Sequence, residues 1–116
     1  MGTGEEGDCR RDRPRTVGMK VEILRPAKRD LLEGYWFYER QSPGLGGYFL
    51  QHLHADIDSL EHYAGIHRRV YGRYHWHGSK RFPHAVLYFV KDGTAYVDAV
   101  IDCRRSAEWI KQRLSQ

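Results

Sequence analysis

The segment from Lys80 to Arg105 constrains the fold more than any other part of the chain. It contains two almost continuously apolar runs, AVLYFV and AYVDAVI, which flank Asp92-Gly93. A two-residue type I′ turn needs positive φ at both central positions, and an Asp-Gly pair tolerates that conformation. Strands this apolar belong at the centre of a sheet that is covered on at least one face. The segment therefore predicts a buried central hairpin with basic residues at its ends.

The chain has 116 residues, which is enough for one domain with a modest core. No run approaches the roughly 20 apolar residues that a membrane span requires. The first residues are polar and acidic, unlike a secretory leader. The two cysteines, Cys9 and Cys103, make a poor disulfide framework. These features predict a cytoplasmic protein, for which we expect no cofactor.

Charge is unevenly distributed along the chain, which carries 19 Lys and Arg against 15 Asp and Glu. From His67 to His84 no acidic residue interrupts five bases, which are Arg68, Arg69, Arg73, Lys80 and Arg81. The helical segment before them is rich in Asp and Glu. Such a two-sided domain favours an anionic partner on the strand side. A basic but merely solvated surface is the alternative.

Two regions are expected in the chain. Residues 1 to 18 are rich in Gly, Arg and acids and lack periodicity, which predicts a disordered N-terminal tail. Residues 19 to 116 are predicted to form a single domain. It begins with an alternating strand, Met19 to Leu24, and continues as two helices that Ser42-Pro43-Gly44 separates. The short connector predicts an antiparallel helical hairpin.

The remainder of the chain predicts three strands and a final helix. Alternation from Val70 to His77 indicates one strand, which precedes the central hairpin. After Arg105, Ser106 is a suitable N-cap for the helical segment AEWIKQRL. The predicted order is β-α-α-β-β-β-α, with an antiparallel sheet packed against the helical hairpin. That arrangement is an α+β fold.

Several landmarks carry a family resemblance. They are YWFYE (Tyr35 to Glu39), GLGGYFL (Gly44 to Leu50), RFPHAVLYFV (Arg81 to Val90) and AVIDCRR (Ala99 to Arg105). Together with the order of elements, they resemble the ParE/RelE superfamily of bacterial toxins, often called plasmid-stabilisation proteins. The resemblance covers about Lys20 to Leu114. It implies the toxin of a type II toxin–antitoxin module, bound in a hetero-oligomer by a cognate antitoxin.

The superfamily divides by target: RelE-like members cut messenger RNA in the ribosome, and ParE-like members poison DNA gyrase. By resemblance, Arg105 corresponds to the RelE-like arginine that stabilises phosphate charge. A second such arginine falls near His84 or Ala85 and is therefore absent or replaced by histidine. The paired RelE-like lysines could at best be Arg69 and Arg73, and arginine is a poor proton acceptor because its pKa stays above about 12.

Two further departures from the RelE-like pattern also favour a ParE-like protein. The RelE-like tyrosine of the final helix has no clear counterpart, although Trp109 is near, and Asp102 stands where many members carry histidine. We therefore predict a ParE-like toxin that inhibits DNA gyrase by binding. A RelE-like, ribosome-dependent mRNA endonuclease that needs no metal is the runner-up. A non-toxic basic nucleic-acid-binding domain is the third alternative.

The candidate target-binding residues are Arg73, Arg81, His84, Arg104 and Arg105. If the protein is a nuclease, the catalytic set would be Arg73, His84 and Arg105. The alternative for Arg73 and His84, as for His75 and His77, is a plain solvent-facing position on a strand. For Arg104 and Arg105 the alternative is that they neutralise acids of the first two helices.

The remaining predictions concern aromatic and histidine side chains. Trp36 and Trp109 would mark the antitoxin-binding groove if exposed, although their helical positions favour burial in the core. Phe82, Tyr88 and Phe89 are expected in the core. His75 and His77 share a strand face, but no Cys or carboxylate near them in sequence completes a metal site, so none is predicted.

Overall fold

The structure is a computed structural model that describes residues 19–115; the predicted tail, residues 1–18, lies outside the described residues. The strands and helices, in chain order, are β1 (Lys20–Ile23), α1 (Arg25–Glu39), α2 (Leu45–Asp58), α3 (Leu60–Tyr63), β2 (Arg69–Val70), β3 (Tyr74–Gly78), β4 (His84–Lys91), β5 (Thr94–Asp102) and α4 (Ala107–Leu114). The predicted α+β class is confirmed.

The five strands form one sheet in the order β1-β5-β4-β3-β2. Neighbours are antiparallel from β5 to β2, whereas β1 runs parallel to β5, with Lys20 opposite Thr94 and Ile23 opposite Val97. The sheet is therefore mixed rather than wholly antiparallel as expected. The direction of β1 depends on how the chain crosses the sheet through the helices, and alternation of residues carries no information about that crossing.

The central hairpin forms as predicted from its turn. Strands β4 and β5 pair from His84 opposite Asp102 to Lys91 opposite Thr94. Asp92 and Gly93 have φ of 51° and 75°, which is the positive φ that a type I′ turn requires. The register shifts between Leu87 and Tyr88, a β-bulge in the ladder.

The predicted strand from Val70 to His77 is wrong in one respect, because the structure divides it into a small hairpin. Tyr71 and Gly72 have φ of 50° and 88° and reverse the chain between β2 and β3. Glycine adopts this conformation without a steric penalty, so Gly72 permits the reversal. The predicted alternation holds along β3, where Tyr74 and Trp76 pack in one core cluster and His75 stacks on Tyr88 of the other.

Both faces of the sheet are covered. Helices α1 and α2 pack on one face, and the largest side chains of that core are Phe49, Leu53, Ile57 and Tyr88. Helix α4 packs on the other face through Ile110, against a cluster that includes Leu87, Ala99 and Ile101. Within residues 19–115, no helix is long and apolar enough to cross a membrane.

The aromatic core predictions hold with one qualification. Tyr88 is fully buried as expected. Phe82 and Phe89 are only half-buried, and they pack at the borders of the two cores. Gly46 lies at a close approach of α1 and α2, because a Cβ there would stand 2.6 Å from the carbonyl oxygen of Tyr35. The GLGG sequence thus lets the helical hairpin close.

Candidate functional site

Exposed arginines gather where β5 ends and α4 begins. The amide of Cys103 donates to the carbonyl of Pro83 at 2.9 Å, which holds the β3–β4 loop beside the β5–α4 turn. This contact places Arg81 on the same end of the sheet as Arg104 and Arg105. Arg40, in the last turn region of α1, lines a cleft together with Arg105. We call these four residues, Arg40, Arg81, Arg104 and Arg105, the basic corner; all four are exposed.

Local hydrogen bonds shape the basic corner. The carboxylate of Asp102 accepts from the amide of Arg104 at 2.8 Å, and the amide of Arg105 donates to the carbonyl of Asp102 at 3.1 Å. Ser106 then caps α4, since its hydroxyl accepts from the amide of Trp109 at 3.1 Å. The predicted N-cap is therefore confirmed. These bonds end β5 sharply and project both arginines outward.

Arg104 is committed to a local ion pair. Its guanidinium donates twice to the carboxylate of Asp102, at 2.9 and 2.7 Å. This side-chain hydrogen bonding from Arg104 lowers the pKa of Asp102 to about 2. The alternative in which Arg104 neutralises an acid of the first two helices is wrong, because its carboxylate partner is its neighbour on the β5–α4 turn.

Arg105 has a different environment. Its guanidinium carbon lies 4.4 Å from the centroid of the Trp109 indole, a cation–π contact across one turn of α4. Both side chains line a cleft of about 290 Å³ between α1 and α4, together with Phe37 and Arg40. Phe37 is 47% exposed and Trp109 is 38% exposed. The cleft thus offers aromatic walls with a cation at either lip.

Both candidate antitoxin-binding tryptophans are at the surface, so their burial in the core is excluded. Trp36 is 51% exposed on α1. Successive helical residues are 100° apart, so Trp36 projects from α1 beside Phe37 but away from the cleft that Phe37 and Trp109 line. The exposure that would mark an antitoxin groove is present at both tryptophans, on two neighbouring parts of the surface.

His84 does not face solvent, contrary to the expectation for a plain strand position. It is 9% exposed, and its ring centroid lies 5.8 Å from that of Tyr38 and 5.0 Å from that of Phe49. Within residues 19–115, its Nδ1 has no hydrogen-bond partner. Burial lowers the pKa of His84, because it disfavours the charged form of the ring. His84 also lines the cleft, through which a partner could meet it.

Arg73 lies away from the basic corner. It is on the turn between β2 and β3, and its guanidinium carbon is 4.0 Å from the Phe89 ring centroid. Phe89 is five residues from His84 along β4, which corresponds to about 16 Å. Moreover, Phe89 packs on the α4 face of the sheet, whereas His84 packs towards α1 and α2.

The catalytic set considered for a nuclease is therefore not assembled. His84 and Arg105 line the same cleft, but Arg73 lies towards the other end of the sheet, beside Phe89. Of the five candidate target-binding residues, the structure groups Arg81, Arg104 and Arg105, buries His84 beside them and separates Arg73.

His75 and His77 also differ from a plain solvent-facing position. Both are half-buried. They lie beside His67, a residue that the sequence did not single out; the centroids of the His67 and His77 rings are 4.2 Å apart. Within residues 19–115, no group of three or more His, Cys, Asp or Glu side chains is arranged to hold a metal ion.

Known proteins resemble this chain at the level of structure. No protein-family model and no curated protein sequence matches the chain. Among solved structures, it resembles a chain of one described as "Chromosomal ParDE TA system from P. aeruginosa". The two are 19% identical with a TM-score of 0.69, and the match covers 72% of this chain and 95% of that chain. The protein therefore has the ParE/RelE-like fold that its sequence landmarks predicted.

Proposed function

We propose that this protein is the ParE-like toxin of a type II toxin–antitoxin module, which inhibits DNA gyrase by binding and is neutralised by a cognate antitoxin. The observation that carries the proposal is the likeness to a chain of a ParDE toxin–antitoxin structure, almost the whole of which is matched. The site of action is then the bacterial cytoplasm.

The arrangement of the candidate residues supports binding over cleavage. Attack on RNA by its own 2′-hydroxyl needs a base, an acid for the leaving oxygen and cations for the phosphorane-like charge, all around one phosphate. Arg73 does not meet His84 and Arg105 around one point, because it packs on Phe89, about 16 Å along β4 from His84. Inhibition by binding requires only a complementary surface.

The basic corner and its cleft form such a surface. Exposed guanidinium groups make charge-assisted hydrogen bonds to carboxylates or phosphates. Arg105 against Trp109 combines the two residue types that most often dominate binding energy at protein interfaces. We therefore assign target recognition to Arg81, Arg104 and Arg105, with an anionic or carboxylate-bearing part of the target opposite them.

Inducible expression in bacteria tests the mechanism. A gyrase inhibitor should cause filamentation and DNA-damage signalling while translation persists. Purified protein should then inhibit supercoiling by gyrase in vitro. Early loss of protein synthesis, with cleaved messages and intact DNA, would instead assign the protein to the RelE-like nucleases.

A second experiment tests the antitoxin. A small protein with an acidic C-terminal segment, encoded next to the toxin gene, should co-purify with the chain and restore growth on co-expression. An extended segment of this kind should bury well over about 2,000 Å², as obligate partners commonly do. Full activity of the toxin in the presence of every such neighbour would contradict membership of a toxin–antitoxin module.

A further inference from the structure

The segment from Gly65 to Arg68, which joins α3 to β2, is attached to the sheet by polar contacts. The amide of Gly65 donates to the Tyr88 hydroxyl at 2.8 Å, and the same hydroxyl contacts Nδ1 of His67. His75 Nδ1 lies 2.7 Å from the carbonyl oxygen of His67. Apolar packing adds little, because Ile66 is 72% exposed. These polar contacts therefore hold the segment in place.

The hydrogen bonds specify the protonation state of His67. The Tyr88 oxygen already accepts from the amide of Gly65, so the hydroxyl proton is free to point at His67. In the tautomer that gives this hydroxyl proton an acceptor, Nδ1 of His67 is unprotonated. A proton on Nδ1 would leave the buried tyrosine hydroxyl without an acceptor, which is costly in the interior.

His77 provides a second proton site beside His67. Its Nε2 is buried without a hydrogen-bond partner among the described residues, and it lies 4.0 Å from Oδ1 of Asp56. A small movement would convert this approach into an ion pair once His77 is protonated. The resulting cation would face the His67 ring, whose centroid is 4.2 Å from that of His77.

The charged groups around the histidines do not compensate for the positive charge that a second proton would add. Asp56 and His52 face the cluster from α2, and Ser79 and Lys80 face it from the β3–β4 loop. The other groups are His67 on the α3–β2 segment, His75 and His77 on β3, and Tyr88 on β4. Among the described residues, Asp56 is thus the single carboxylate beside four histidines and a lysine. Burial, and then the charges of His77 and His75, lower the pKa of His67.

We propose that His67, His75, His77 and Tyr88 form an acid-sensitive latch, in which proton uptake by the His67–His77 pair releases residues 65–68 and β2 and uncovers the edge of β3. Strand β2 contributes only two residues to the sheet, and the amide of Trp76 in β3 donates to the carbonyl of Arg68 at 2.9 Å. Release of the segment therefore breaks most of the backbone pairing that covers the β3 edge. An uncovered strand edge can pair with another strand.

The direction of the pH effect follows from linkage. Because the pKa of His67 is lowered in the closed state, the open state binds more protons. The free energy of closure is therefore fully present above the ordinary histidine pKa of about 6.5 and is lost as the pH falls below it.

Hydrogen exchange of the intact protein, measured by NMR, tests the latch. The protection factors of the Gly65 and Trp76 amides should fall about tenfold or more between pH 7.5 and pH 5.0, which corresponds to about 1.4 kcal/mol or more of local opening free energy. The amides of Val86 and Leu87, in the buried central strand, should lose much less. Unchanged protection at Gly65 and Trp76 would overturn the proposal.

Two variants and one control identify the responsible groups. His67→Asn retains an acceptor near the position of Nδ1 but cannot take up a proton, so its protection factors should not depend on pH. His62→Asn, at an exposed position on α3, should behave like the parent. His77→Asn removes the neighbouring cation and should reduce the loss of amide protection at low pH. This variant tests the latch even if His67→Asn does not fold. If His67→Asn or His77→Asn lost as much amide protection as the parent between pH 7.5 and pH 5.0, the mechanism would be excluded.

Discussion

Arg113 on α4 donates a hydrogen bond to the carboxylate of Asp30 on α1, 83 residues away in the chain. The same Asp30 oxygen accepts from the amide of Val100 on β5 at 2.9 Å, and the guanidinium of Arg113 also reaches the carbonyl of Asp98 at 3.3 Å. A largely buried ion pair thus fastens the first helix, the last strand and the final helix together. These elements enclose the cleft beside the basic corner.

Replacing Arg113 by methionine should lower stability by about 3 kcal/mol, because it leaves Asp30 buried without its cation. Burial already raises the pKa of Asp30 despite its hydrogen bonds. Thermal unfolding should show a Tm lower by more than about 10 °C. The double variant Asp30→Asn/Arg113→Met should recover part of the loss. An unchanged Tm in Arg113→Met would show that the pair is not needed to hold α4.

The carboxyl group of Asp102 should titrate with a pKa of about 2 in the parent and closer to its ordinary value of 3.8 in Arg104→Ala. A lowered carboxyl pKa stabilises the folded state above the ordinary value, and that stabilisation is lost as the pH falls towards 2. NMR titration of the side-chain carboxyl carbon measures the shift. Identical Asp102 curves would contradict the ion pair.

Arg105→Ala should reduce toxicity and weaken target binding by about tenfold or more, since a charge-assisted bond and the contact with Trp109 are both lost. The double variant Arg104→Ala/Arg105→Ala should abolish toxicity while remaining folded. Arg73→Ala is the matched control on the other end of the sheet. Growth inhibition and gyrase supercoiling measure the effect. If Arg73→Ala is the more damaging variant, the target binds the β2–β3 turn instead.

His84→Phe should remain folded at pH 7.5, because phenylalanine fits between Tyr38 and Phe49 and removes an unpartnered nitrogen. Its stability should change by less than about 1.5 kcal/mol. Because burial lowers the pKa of His84, the parent loses stability as the pH falls below about 6.5, and the variant should lose less.

Chemical unfolding at pH 7.5 and pH 5.0 measures this difference. His54→Phe, at an exposed position on α2, should retain the pH dependence of the parent. If the parent and His84→Phe lost equal stability between the two pH values, burial would not lower the pKa of His84.

Trp36→Ala should leave Tm nearly unchanged, since half of the side chain is in solvent. If Trp36 anchors the antitoxin, the binding free energy between Trp36→Ala and the antitoxin should weaken by about 2 kcal/mol or more. Trp109→Ala tests the neighbouring surface in the same way. Tyr63→Ala, at a residue 56% exposed on α3, is the control. Calorimetry with the purified antitoxin measures these affinities, and equal affinities for all three variants would exclude both tryptophans.

The sequence alone determined the features that depend on neighbouring residues. Asp92-Gly93 specifies the central hairpin because its backbone tolerates positive φ, and Ser106 specifies the start of α4 because its hydroxyl accepts an orphan amide. The helical hairpin follows from the apolar stripes and the Pro-Gly break. The four landmarks between Tyr35 and Arg105, together with the order of elements, predicted the fold through resemblance.

Tertiary structure decided which side chains meet. The parallel pairing of β1, the burial of His84 and the separation of Arg73 from Arg105 all depend on contacts between residues far apart in the chain. Alternation along β3 predicted that His75 and His77 share a face, but not that His67 would join them. Residue type and local spacing specify strands, helices and turns; only the packing of those elements brings distant charges together, and both the basic corner and the histidine latch arise at that level.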